Sequence, residues 1–278
     1  MDILQYTFFQ NAIIGIILIA IVAAIIGTYI VTRRMVFIAG GLTHASFGGL
    51  GIGYYAGISP TLSALIFAII TALGIDHLSH AKRIRQDSSI ALFWAVGMAI
   101  GIIFIFLTPG YTPGLSEFLF GNILTITTHD IVLFALYTLV LTGYVVWQLK
   151  PIIYTAFDAD FARIQGINTQ RINTCMMLFI AIGVVLSIRL IGIMLLLSVL
   201  TLPQVIAELY TTRYKQMMIL SGIIGLISSI IGLTISAIIA VPTGACIVMV
   251  LVAVYAIARG VHTLHTHSLH KKATYIRQ

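Results

Sequence analysis

The sequence predicts an all-α polytopic membrane protein, a bundle of eight or nine transmembrane helices. Of its 278 residues, 60% are hydrophobic and only 8% charged, where a soluble domain carries about 25% charged residues. Apolar runs of about 18 residues or more recur along the whole length, each enough to cross a bilayer. The mean hydropathy is +1.09. This composition excludes disorder, a coiled coil and a disulfide-stapled secreted domain. Cys175 and Cys246 sit in apolar runs and read as small hydrophobes.

The net charge of +7 is ordered along the chain rather than spread over a nucleic-acid-binding face. Lys and Arg cluster at Arg33–Arg34, at Lys82, Arg83 and Arg85, at Lys150, Arg163 and Arg171, at Arg213 and Lys215, and from Arg259 to Arg277. The intervals 36–81, 86–149, 172–212 and 216–258 each suit two crossings and are too long for one. All basic residues but Arg189 then share one face, cytoplasmic by the positive-inside rule. Residues 8–32 add one span, too long and unbroken for a signal-peptide core. Nine crossings are expected, with the N-terminus outside and the C-terminus inside. Eight result if one member of the 172–212 hairpin is short or re-entrant. Residues 1–260 are expected to form one transmembrane domain and 261–278 a His/Lys-rich tail.

In the second span, Gly41, Ala45, Gly49, Gly53 and Gly57 form a small-residue stripe, a seam for close helix packing. His44, beside Thr43 and Ser46, is the one ionisable group deep in this span. It is either a pathway group and nitrogen ligand or a hydrogen-bonded core histidine. Gly57-Ile58-Ser59-Pro60 marks a turn, and 109–127, with Glu117 and no Lys or Arg, an outer loop. Asp76, His77 and His80 at the end of the third span read first as solvated interfacial groups. So do the tail's His262, His265, His267 and His270, with metal ligation as the alternative.

The connection 157–168 predicts a short exposed helix. Asp158 is an N-cap, Asp160 favours the first turn, Arg163 the last, and Gly166 stops it, leaving Phe161 and Ile164 to present. Docking to a cytoplasmic partner is preferred over lying on the membrane. In 187–204, Pro203 frees the carbonyl of Val199 and predicts a broken helix bordering a cavity, with Ser198, Thr201 and Gln204 beside it. Val241-Pro242-Thr243-Gly244 reads as an outer turn. The chain has no phosphate-binding loop, so it is expected to hydrolyse no nucleotide itself, and no hydrolase motif, so intramembrane proteolysis is not expected.

Together Arg33–Phe37, Leu42-Thr43-His44-Ala45-Ser46, Asp87–Ala91, Phe120–Leu124, Phe157–Gly166 and Arg189–Pro203 resemble the membrane permease of bacterial zinc/manganese ABC importers. The resemblance implies a type II importer fold in the bacterial inner membrane. It implies a homodimer, an ABC ATPase pair that burns the ATP, and an extracytoplasmic metal-binding protein. No cofactor is held permanently; the metal is cargo. Residues His44, Thr43, Ser46, Ser198, Thr201 and Gln204 carry over as pathway candidates. Asp158, Asp160, Phe161, Arg163 and Gly166 carry over as the ATPase-docking helix at 158–168. Many members have Asp where this chain has Gly41, and losing that hard ligand favours zinc over manganese or iron. A siderophore, haem or cobalamin permease is the first rival. An ion-coupled secondary carrier is the second, disfavoured because Asp76, Asp87, Asp130 and Glu208 lie near span ends.

Overall fold

A computed structural model describes residues 7–80, 85–110 and 126–275, and among them it is helical without strands. The helices are α1 (Thr7–Thr32), α2 (Phe37–Ala56), α3 (Pro60–His80), α4 (Gln86–Leu107), α5 (Thr128–Trp147), α6 (Leu149–Phe157), α7 (Ala159–Ile164), α8 (Thr169–Val199), α9 (Leu202–Glu208), α10 (Tyr214–Ile239) and α11 (Thr243–Tyr275). Seven stretches are long and apolar enough to span a bilayer. Two physical facts restore the nine expected crossings. α2 is long enough, at 20 residues, but its glycines dilute its hydropathy. Thr169–Glu208, at 40 residues, holds two passes.

The second pass follows a break at Gly192, whose φ of 73° suits glycine in a left-handed conformation. Before it, Arg189 lies at the starts of α3 and α5, donating to Thr61 (3.0 Å) and pairing with Asp130 (3.4 Å). Beyond it, Ala207 packs with Val31 and Met217 at the opposite end of the bundle. That end carries Arg33, Arg163, Arg171 and Arg213 and is called the basic end below. Pro203 stands in the first turn of α9, where a missing N–H costs nothing. The helix is broken as expected. The hinge that turns the chain is Gly192.

α1 and Thr169–Glu208 form the centre, each 72% buried over its apolar stretch, whereas α4 is 17% buried and lies at the periphery. α2 is wedged between α3 and α4. The stripe read from the sequence resolves into two seams: Gly49 and Gly53 meet Ser63 and Pro60 of α3, while Gly41 and Ala45 meet Ile90 and Gly97 of α4, where Gly51, outside the stripe, adds a contact with Gly101. A carbon added at Gly51 would lie 2.8 Å from the Gly101 Cα, so no side chain fits there. In lipid, this closeness supplies the dispersion contacts that drive association. Gly57 belongs to neither seam; with φ of 67° it terminates α2.

The expected turn at 241–244 is shorter in the structure, Ala240 to Pro242, because Thr243 and Gly244 already open α11; Ser236 donates to the Val241 carbonyl (2.7 Å). The outer-loop residue Glu117 and the Phe120–Leu124 match lie outside the described residues. α11 runs without interruption to Tyr275, so residues 261–275 extend the last helix.

Candidate functional site

From Ile38 to Gly49 every α2 residue is buried except His44. Its ring stacks flat on Trp94 of α4, centroids 4.3 Å apart and planes 5° from parallel. Trp94 is itself 37% exposed. A carbon added at Gly40 would meet Leu197 at 3.8 Å and Trp94 at 3.9 Å, which sets the end of α8 beside the stack. Here Met194 is exposed and Leu197, Ser198 and Thr201 are half-buried. His44, Trp94, Met194, Ser198 and Thr201 therefore open onto one outer face of the single chain. In the single chain His44 is half-buried.

The pathway candidates divide. Ser198 and Thr201 are on this side, donating to their own helix at Met194 (3.1 Å) and Leu197 (2.8 Å). Thr43 and Ser46 are fully buried, donating back to the carbonyls of Ala39 and Thr43. Gln204 is fully buried too. Its amide donates to the Ala23 carbonyl (2.7 Å), and Gly27 leaves the room it occupies. The break at Gly192 turns Gln204 inward against α1, so it joins two helices and does not reach the His44 face.

The second feature is α7. Asp158 caps it, its carboxylate accepting from the backbone N–H groups of Asp160 (3.1 Å) and Phe161 (2.9 Å). Gly166, at φ of 76°, ends it. Arg163 pairs with Asp160 (3.1 Å) and donates to Thr169 (3.2 Å), while Ala162 is fully buried and anchors the helix. Phe157, Phe161 and Ile164 stand exposed, Ile164 at 84%. This is a rigid apolar knob on the basic end, built as the sequence predicts.

The histidines form no metal centre in the described residues, where no three His, Cys, Asp or Glu side chains converge. His262 meets Tyr210 edge-on at 6.2 Å; the side chains of His265, His267, His270 and His80 lie outside the described residues. His77 is exposed.

Asp76 is the main correction. It was expected to be solvated, yet it is 5% exposed. Asn173 Nδ2 (2.5 Å) and Thr174 Oγ1 (2.7 Å) donate to its carboxylate. The Asn173 oxygen in turn accepts from the Tyr29 hydroxyl (3.0 Å) and Arg33 (3.2 Å), and Arg33 also donates to the Thr155 carbonyl (2.9 Å). The partners come from α1, α3, α6 and α8. The one signal in the sequence was Asn173 and Thr174 among apolar residues, with nothing to name their partner.

Residues 5–261 match the ABC 3 transport family. The chain belongs to that family. Its relatives include a manganese transport system membrane protein MntC of Halalkalibacterium halodurans, 32% identical over 92% of this chain and 88% of that one. A probable iron transport system membrane protein of Haemophilus influenzae is 26% identical over 92% and 94%. Among solved structures, PsaBC from Streptococcus pneumoniae in complex with Fab superposes with a TM-score of 0.80, at 26% identity and 92% coverage of both chains. The family resemblance read from the sequence is borne out. The preference for zinc finds no support in these names, which give manganese and iron.

Proposed function

We propose that this chain is the membrane-spanning subunit of an ATP-driven importer that moves a divalent first-row metal ion into the cytoplasm. The observation that carries the reading is α7: a capped, exposed apolar knob on the basic end of a nine-pass bundle, in a chain of the ABC 3 transport family. That knob suits a groove on a soluble ATPase, and the basic end is then cytoplasmic. Two copies of the chain place their His44 faces together, so that α2, α4 and the broken end of α8 line a shared path. An extracytoplasmic binding protein supplies the ion.

The chemistry of the face fits conduction. One imidazole per chain, with the hydroxyls of Ser198 and Thr201 nearby, binds a dehydrated ion weakly, as passage requires. Affinity then resides in the binding protein and direction in ATP hydrolysis. The relatives make manganese the first cargo to test. Zinc is the second, for one specific reason: Gly41 packs directly on Ile90, leaving no space for an oxygen ligand one turn from His44.

The test is uptake into liposomes holding permease and ATPase, with the binding protein and competing ions outside. Uptake should require ATP, and His44→Ala should lower it about tenfold, equivalent to about 1.4 kcal/mol. Unchanged uptake would favour the siderophore-type rival. Uptake by the permease alone on a proton gradient would refute the reading. Docking is tested separately: Arg163→Glu and Gly166→Pro should each strip the ATPase from the purified permease, and full co-purification of both variants rejects α7 as the contact.

A further inference from the structure

One buried cluster takes no part in docking or in the His44 face: Arg33, Tyr29, Asn173, Thr174 and Asp76. Asn173 is its node. A carboxamide presents a donor and an acceptor on one plane, so it stands between a cation and a carboxylate and satisfies both. Its oxygen takes bonds from Tyr29 and Arg33 of α1, and its nitrogen gives one to Asp76 of α3. Arg33 completes the line by donating through Nη1 to Thr155, near the end of α6 where the chain passes into α7. A continuous hydrogen-bonded path therefore leads from the base of the docking helix through α1 to α8 and α3. The other polar link of α7, Arg163 to Thr169, reaches only the first turn of α8.

We propose that Arg33 and Asn173 are positioning residues for energy coupling: they carry displacement of the α6–α7 unit into α1, α3 and α8. The proposal rests on α7 being the ATPase contact. The physical reason is that a buried carboxylate tolerates few arrangements. Asn173 and Thr174 of α8 both donate to the Asp76 carboxylate of α3, so parting the two helices breaks both bonds to a buried acceptor, and the helices joined here move together. Arg33 holds Thr155 and Asn173 at once because the guanidinium fork aims two N–H groups from one rigid plane. A lysine at 33 keeps the charge but gives up one of the two bonds.

The decisive quantity is the number of metal ions imported per ATP hydrolysed, measured in liposomes with permease, ATPase and binding protein. Manganese is the probe ion. Arg33→Lys should co-purify with the ATPase as the parent does and hydrolyse ATP within about twofold of it, while the ion-to-ATP ratio falls about tenfold, the loss of one charge-assisted hydrogen bond. Asn173→Gln, which keeps donor and acceptor at a different reach, should lower the ratio in the same direction. A ratio that stays constant in both variants, even with both rates reduced together, overturns the proposal. So does loss of ATPase co-purification by Arg33→Lys, which would put Arg33 in the docking surface. Arg163→Glu separates the two ideas. If it and Gly166→Pro both still co-purify fully, the docking reading fails whatever the ratio; if they dissociate and Arg33→Lys retains the parent ratio, only the linkage fails.

Discussion

Polar clusters join α3 to α8 at both ends of the bundle, and the two are built in opposite ways. At the basic end, Asp76 is 5% exposed and accepts from Asn173 and Thr174, with the Arg33 cation one residue further along the network. At the other end, Arg189 and Asp130 meet directly, but their side chains are 55% and 11% exposed. The same residue types thus have different energetics. Removing one hydrogen-bond donor from a buried carboxylate costs about 1.5–3 kcal/mol; an ion pair whose cation is open to solvent contributes about 0–1 kcal/mol. One junction is a fixed joint. The other can part and re-form cheaply, which suits the end that meets a binding protein in the proposed cycle.

The largest expected effect comes from breaking the fixed joint. Asn173→Leu should destabilise the purified protein by about 2 kcal/mol, seen as a lower thermal midpoint in detergent. Adding Asp76→Leu should recover part of that loss, because the buried carboxylate that lost a donor is then gone. A melting curve for Asn173→Leu that matches the parent would remove the contrast altogether. The smaller effect belongs to the wet end. Arg189→Ala should change stability by less than about 1 kcal/mol, and that change should shrink further as salt rises to about 1 M, where screening acts within about 3 Å. A loss as large as that of Asn173→Leu would show the Arg189 pair to be just as firmly set.

Much of this architecture was legible in the sequence because its signals are local. The basic clusters mark span ends by charge alone, and the intervals between them hold the α2–α3, α4–α5, broken α8–α9 and α10–α11 passes. α7 was readable down to Asp158 and Gly166, since a cap needs only its own turn. Pro203 announced a break. What failed were statements about partners. Asp76 looked solvated because it sits near a span end beside histidines, whereas its ligands lie 97 and 98 residues away in sequence. Gln204 looked like a pathway group beside a broken helix, yet its partner is a backbone carbonyl of α1, 181 residues away. His44 was readable as ionisable and intramembrane. Its exposure depends on how α4 lies across α2.

By itself the sequence determined the class, an approximate count of crossings, the clustering of basic residues near span ends and the short capped helix α7, since hydrophobicity, charge and capping act over a few neighbouring residues. Only the tertiary structure decided which polar side chains open onto the outer face and which lock the bundle. A helix places each side chain on a definite bearing, but whether that bearing meets lipid, a second chain or a buried carboxylate depends on neighbours brought in from distant parts of the chain.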